Sequence, residues 1–153
     1  MLKALMISLM QFAAPQMGVD VPRDLPTVRY ASACAMQREY EGEAFKRCKS
    51  DGELRVGAFY VPATNTMTLP EGFDPRDVGD QSILLHELVH YMQDASGKDV
   101  VIYLSKPCPV RELELEAYRV QFRFLRLRGV DSEAFQGYTL RQLATRMGCD
   151  GRF

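Results

Sequence analysis

The chain has 153 residues, of which 46% are hydrophobic and 25% charged, the balance of an ordinary globular domain long enough to bury one core. Its 19 basic and 20 acidic side chains leave a net charge of −1, which argues against a protein that acts through a broad positive field on nucleic acid or an anionic membrane. It contains no apolar run of about 18 residues, no internal repeat and no low-complexity segment, so neither a transmembrane helix nor a solenoid is expected.

Met1–Ala14 (MLKALMISLMQFAA) reads in two ways. Lys3 followed by an apolar stretch and small residues looks like a signal peptide. Alternatively, Leu2, Leu5, Met6, Leu9 and Phe12 recur with a helical period and predict an amphipathic helix over residues 1–18, followed by one domain over 19–153. The first reading implies a periplasmic or secreted protein, the second a cytoplasmic one. Val19–Pro26 is a loop and Thr27–Ala31 a short strand. Ser32 or Ala33 to Lys49 predicts a helix ending near Ser50-Asp51-Gly52. Glu53–Val61 alternates, with Leu54, Val56, Ala58 and Tyr60 on one face, and Thr66–Leu69 returns after an Ala63-Thr64-Asn65 turn.

After a loop over Pro70–Asp77, a helix is expected from about Asp80 to Ala95, capped by Asp77 or Asp80 and stopped at Gly97. Ile83, Leu84, Leu88, Tyr91 and Met92 supply its core face. Val100–Leu104 is a further strand or loop. Pro109 opens a long helix reaching Gly129, with Val110, Leu113, Ala117, Val120, Phe124 and Leu127 on its apolar stripe and Arg119, Arg123, Arg126 and Arg128 on a solvated face. Thr139 and Gln142 form a capping box for a short last helix that buries Leu140, Leu143 and Met147. This order predicts an α+β fold: a short antiparallel hairpin packed on the middle helix, then a long and a short helix.

Four cysteines form no C-x-x-C pair, so a cysteine zinc site is not indicated. In an exported chain they allow two disulfides, and helix ends meeting loops favour Cys34–Cys48 and Cys108–Cys149. In a cytosolic chain they are ordinary thiols.

The middle helix carries His86-Glu87-Leu88-Val89-His90, an H-E-x-x-H motif built on the only two histidines. Four residues apart on a helix, they share one face and can bind one zinc ion, while the glutamate between them can take the proton of a water the metal activates. A catalytic zinc takes a third protein ligand. With no third histidine, a carboxylate on the long helix is the best source. Glu112 and Glu116 share one face there, and Glu114 and Tyr118 another, so Glu114, Glu116 and Glu112 all remain candidates. Gln93 and Asp94 can support the histidines, and Tyr118, Tyr91 or Tyr103 can assist at a developing oxyanion, Tyr118 foremost.

His86-Glu87-Leu88-Val89-His90 followed by Glu114-Leu115-Glu116-Ala117 resembles the gluzincin metallopeptidases. The E-x-x-A element is most similar to the HtpX and CaaX-prenyl-protease type. The resemblance implies a zincin-like fold, a small stand-alone bacterial zinc metallopeptidase acting on peptide or protein, and Glu114 as third ligand beside His86 and His90. It also implies that an extended peptide pairs with a strand near Gly57–Tyr60 or Thr66–Leu69. The likeness covers the hairpin and two helices. It departs from the pattern at Tyr118, where those families carry an aspartate, and in lacking their membrane helices. The expected activity is zinc-dependent peptide hydrolysis with Glu87 as general base. The competing readings are a non-catalytic metal-binding or interaction module, and a helix whose histidines hold no metal. No phosphate-binding glycine loop and no nucleophile-elbow serine is present.

Overall fold

The structure, a computed structural model, describes residues 1–50 and 57–152. In chain order it runs α1 (Leu2–Met17), β1 (Thr27–Ala31), α2 (Ala33–Glu41), β2 (Phe59–Val61), β3 (Thr66–Pro70), α3 (Val78–Ala95), α4 (Lys98–Ser105), α5 (Pro109–Leu127), α6 (Ser132–Gln136) and α7 (Leu140–Arg146). The fold is α+β, with a small three-stranded sheet against several helices.

The expected hairpin forms. β2 and β3 pair antiparallel, joined by a 3-10 turn at Pro62–Thr64 and by Asn65, whose φ of 47° lies in the left-handed region that asparagine tolerates. Glu53–Val56 of the expected first strand, with Leu54 and Val56, lie outside the described residues. The sheet is mixed rather than purely antiparallel, because β1 pairs parallel with β3 in the order β1-β3-β2. A parallel pair needs a long crossover, and residues 32–65 supply it. Thr66–Leu69 is therefore the central strand. Met67, Thr68 and Leu69 are fully buried, and the segment has no free edge for a peptide to join. Of the two expected edges only Gly57–Tyr60, whose Phe59 and Tyr60 belong to β2, is on the outside.

Three further expectations are corrected. The helix expected to reach Lys49 stops at Glu41, then makes a 3-10 turn over Gly42–Ala44. The cause is covalent: Cys34 and Cys48 are disulfide-bonded with Cα atoms 5.1 Å apart, whereas a straight helix would hold residues 14 apart at about 21 Å. Val100–Leu104 belongs to helix α4, not to a strand. Its β-branched residues favour a strand on propensity, yet Gly97 at φ 72° turns the chain and Asp99 charges the first turn of a new helix. Leu127, at the last turn of α5, is exposed rather than in the core. Cys108 and Cys149 form the second disulfide, which ties the C-terminal segment to the start of α5.

The core sits where α1, α3 and α5 meet behind the sheet. α1 contributes Met6, Leu9, Met10, Ala13, Ala14 and Met17, and Phe12 packs edge-on to Phe124 at 5.6 Å between ring centroids. The N-terminal segment is thus an integral core helix in this fold. α3 is nearly enclosed: Leu84, Leu85, Leu88, Val89 and Met92 are fully buried. The helix is apolar on more sides than an amphipathic surface helix, because it packs on α1, α5 and the sheet at once. Asp77 caps it by accepting from the Asp80 amide, and Thr139 with Gln142 forms the expected capping box on α7. Among the described residues, no helix is long and apolar enough to cross a membrane.

Candidate metal centre

The remaining face of α3 opens into a cleft of about 790 Å³. His86, Glu87 and His90 line it from α3, Glu114 and Tyr118 from α5, and Gly57–Tyr60 from the start of β2 and the two residues before it. One helical turn separates the two histidines, so their rings meet edge-on at 5.0 Å and both Nε2 atoms point the same way. They are 3.2 Å apart. α5 packs against α3 and carries Glu114 across the gap: Oε2 is 3.2 Å from His86 Nε2, and Oε1 is 3.2 Å from His90 Nε2.

The three edges of this triangle can be compared with a metal site. Ligands on a tetrahedral zinc, bonded at about 2.0–2.1 Å, lie about 3.4 Å from one another. Taken pair by pair the spacings are within a few tenths of an ångström of that value, with a different Glu114 oxygen at each histidine, and a donor set of two imidazoles and one carboxylate is one zinc accepts. These three residues form a cluster whose ligand atoms lie within 4.8 Å of one another.

The electrostatics follow from the burial. For Glu114, burial alone would raise the carboxyl pKa, but hydrogen bonds from His86 and His90 outweigh it and hold the group well below the usual carboxylate range. For His90, burial pulls the pKa down, but Glu114 and Glu87 outweigh it and push it up to about 9. Glu87 goes the other way from Glu114. Burial raises its pKa against the pull of the two imidazoles, and its Oε2 accepts the Tyr60 amide at 3.0 Å. The glutamate of the motif is thereby held between α3 and the outer edge of β2.

The carboxylates considered from sequence separate clearly. Glu114 faces the histidines. Glu116 does not: it accepts from Gln93 Nε2 at 2.9 Å and from Lys98 Nζ, which also donates to the Met17 carbonyl at 2.7 Å. Glu112 is in the first turn of α5, 4.0 Å from Arg111. Of the tyrosines, Tyr118 packs edge-on against His86 with ring centroids 4.6 Å apart, and burial followed by Glu114 pushes its pKa up to about 12. Tyr103 lines the same cleft but is half exposed. Tyr91 points elsewhere and donates to the Asp24 carbonyl at 2.6 Å. Gln93 supports a histidine, since His90 Nδ1 is 2.9 Å from its Oε1, whereas Asp94 instead accepts from the Tyr60 hydroxyl at 2.7 Å.

Two residues at the site were not anticipated. Gln121 lies fully behind His86, with its Oε1 3.0 Å from Nδ1, and Ser82 accepts from Gln121 Nε2 at 3.2 Å. Both are placed by helical period: Gln121 is two turns beyond Glu114 on α5, and Ser82 one turn before His86 on α3. The C-terminal segment braces the third carboxylate. The Cys108–Cys149 bond brings Gly151 so close to α5 that a Cβ there would fall 3.1 Å from Glu114 Cγ and 2.9 Å from Val110 Cγ1.

Residues 2–149 match the family described as Domain of unknown function (DUF6647), and the chain belongs to that family. No curated protein and no solved structure matches it.

Proposed function

We propose that this DUF6647 member is a zinc-dependent hydrolase, and specifically a metallopeptidase with a zincin-like arrangement of the gluzincin type. One observation carries the reading: His86 Nε2, His90 Nε2 and the Glu114 carboxylate close a triangle with 3.2 Å edges, and Glu87 lines the same cleft. His86, His90 and Glu114 would hold the ion. Bound there, zinc supplies Lewis acidity, polarising a carbonyl and making a water acidic enough to ionise near neutral pH.

The rest of the chemistry belongs to the chain. Burial raises the Glu87 carboxyl in the metal-free protein, and its place in the cleft beside both histidines suits a base that takes a proton from the attacking water and returns it to the leaving amine. Tyr118, beside His86 and with a strongly raised pKa, keeps its hydroxyl proton at neutral pH and is the candidate donor to a developing oxyanion. The outer edge of β2 lines the cleft beside Glu87, which already accepts from its Tyr60 amide, so an extended peptide would lie along this edge without pairing to that amide. The two disulfides favour a non-reducing compartment as the place of action.

The deciding experiment is Glu87→Gln in zinc-loaded protein, measured against a mixed pool of quenched fluorescent peptides. The variant is expected to keep its zinc and lose cleavage by about 10²–10⁴-fold. Cleavage at the parent rate would refute Glu87 as the base. A parent that holds zinc and cleaves no peptide in the pool would leave the metal-binding module as the better reading.

A further inference from the structure

We infer that Gln121 and Gln93 are positioning residues that fix both imidazoles in the one tautomer able to bind metal through Nε2; this rests on the metal reading above.

The reasoning is a count of donors and acceptors. The Ser82 hydroxyl donates to the Gly79 carbonyl at 2.7 Å, so its oxygen is left to accept. The group facing it on Gln121 must then be the amide nitrogen, at 3.2 Å, and the amide oxygen is turned to His86 Nδ1 at 3.0 Å. An amide oxygen only accepts, so Nδ1 carries the proton. The second glutamine reaches the same result by a different route. Its Nε2 faces the Leu113 carbonyl at 3.0 Å and Glu116 Oε2 at 2.9 Å, neither of which can donate. Its Oε1 is thereby turned to His90 Nδ1 at 2.9 Å, which must donate as well. Both glutamines are at least 97% buried, so water does not compete for these bonds.

With both Nδ1 atoms held as donors, both Nε2 atoms converge on the Glu114 carboxylate, and each offers its lone pair to an ion once it is free of a proton. A metal ion that displaces the proton shared there bonds all three groups at once. The glutamines therefore build the site before any ion arrives. They also hold it without adding charge, unlike the carboxylates that often back a zinc histidine. Ser82 and Glu116, with Lys98 behind it, fix the glutamines in turn.

The test uses the full chain and zinc alone. Zinc affinity is measured by competition with a chromophoric chelator for the parent and for Gln121→Met, Gln93→Met and Gln121→Glu, and each variant's melting curve is recorded. Methionine keeps the shape and removes the acceptor, and a loss of about 10–100-fold in affinity is expected for each. Gln121→Glu restores an acceptor to Nδ1 and is expected to recover most of that loss. In nitrogen-15 spectra of the zinc-loaded parent, both histidines are expected to show a protonated Nδ1 and a metal-bound Nε2. Methionine variants that fold like the parent and bind zinc as tightly would overturn the inference while leaving the metal site standing. So would coordination through Nδ1. A folded parent that takes up no zinc would overturn both.

Discussion

Zinc uptake is expected to be steeply pH-dependent between pH 7 and 9, and the cause is one proton on His90. In the metal-free protein Glu114 and Glu87 hold that imidazole's pKa at about 9, against an ordinary 6.5. At pH 7 all but about 1% of molecules therefore carry the proton. An ion entering at Nε2 has to displace it, so one proton leaves per zinc and apparent affinity rises about tenfold per pH unit. The expected gain from pH 7 to 9 is about 50-fold, with a plateau above. The sign for stability is the reverse. A folded-state pKa raised from 6.5 to about 9 gives the metal-free protein about 3 kcal/mol that is fully present below 6.5 and fades as pH rises through 9. Glu114→Gln removes the leading cause of the raised value. Burial then opposes only the smaller pulls of Glu87 and Gln93, so the variant should bind zinc weakly and with a shallower pH dependence than the parent. Affinity is read by chelator competition corrected for the chelator's own titration, and the proton count by calorimetry in buffers of different ionisation enthalpy. A parent affinity that is flat from pH 7 to 9, or an equal slope in Glu114→Gln, would refute the reasoning.

Two further outcomes follow from the same contacts. Glu116→Gln should change zinc affinity by at most about tenfold, because that carboxylate orients Gln93 and pairs with Lys98 rather than facing the histidines. If Glu116→Gln proves more damaging than Glu114→Gln in the same titration, the third ligand is Glu116. Cys149→Ser opens a cross-link spanning 41 residues, worth about 4 kcal/mol in the chain-entropy account, and should lower the melting temperature by roughly 8–16 °C. It should also weaken zinc binding, since Gly151 no longer braces Glu114. An unchanged melting curve would show that the cross-link does not constrain the chain.

Much of this fold is legible in the sequence because the deciding signals are local. Asp77, Thr139 and Pro109 mark helix starts by groups that satisfy or lack a backbone donor, and each stands where the residue type predicts. What fails depends on partners distant in sequence. The α2 boundary is one case: composition alone extends the helix to Lys49, yet the Cys34–Cys48 pair expected from the same sequence forbids it. The two expectations were incompatible, and helix geometry could have chosen between them. The parallel pairing of β1 with β3 is another. Nothing local records it, so the place of β3 at the centre of the sheet and of β2 at its edge could not be assigned in advance.

The site divides along the same line. The H-E-x-x-H spacing places His86 and His90 without knowledge of any other element. Choosing among Glu112, Glu114 and Glu116 requires the rotation of α5 about its own axis. That rotation is set by burial of Leu113, Ala117, Val120 and Phe124, which turns Glu114 and Gln121 together toward α3. Those same buried residues bear on the reading that the histidines are ordinary. Ser82, His86, Gln93 and Gln121 are each under 8% exposed. Apolar residues of similar volume there would often be neutral or stabilising. A buried polar set whose hydrogen bonds turn both Nε2 atoms toward one carboxylate is what a ligand-holding site requires and what a structural core does not. The proposed zinc site accounts for that arrangement, and ordinary helix histidines leave it without a cause.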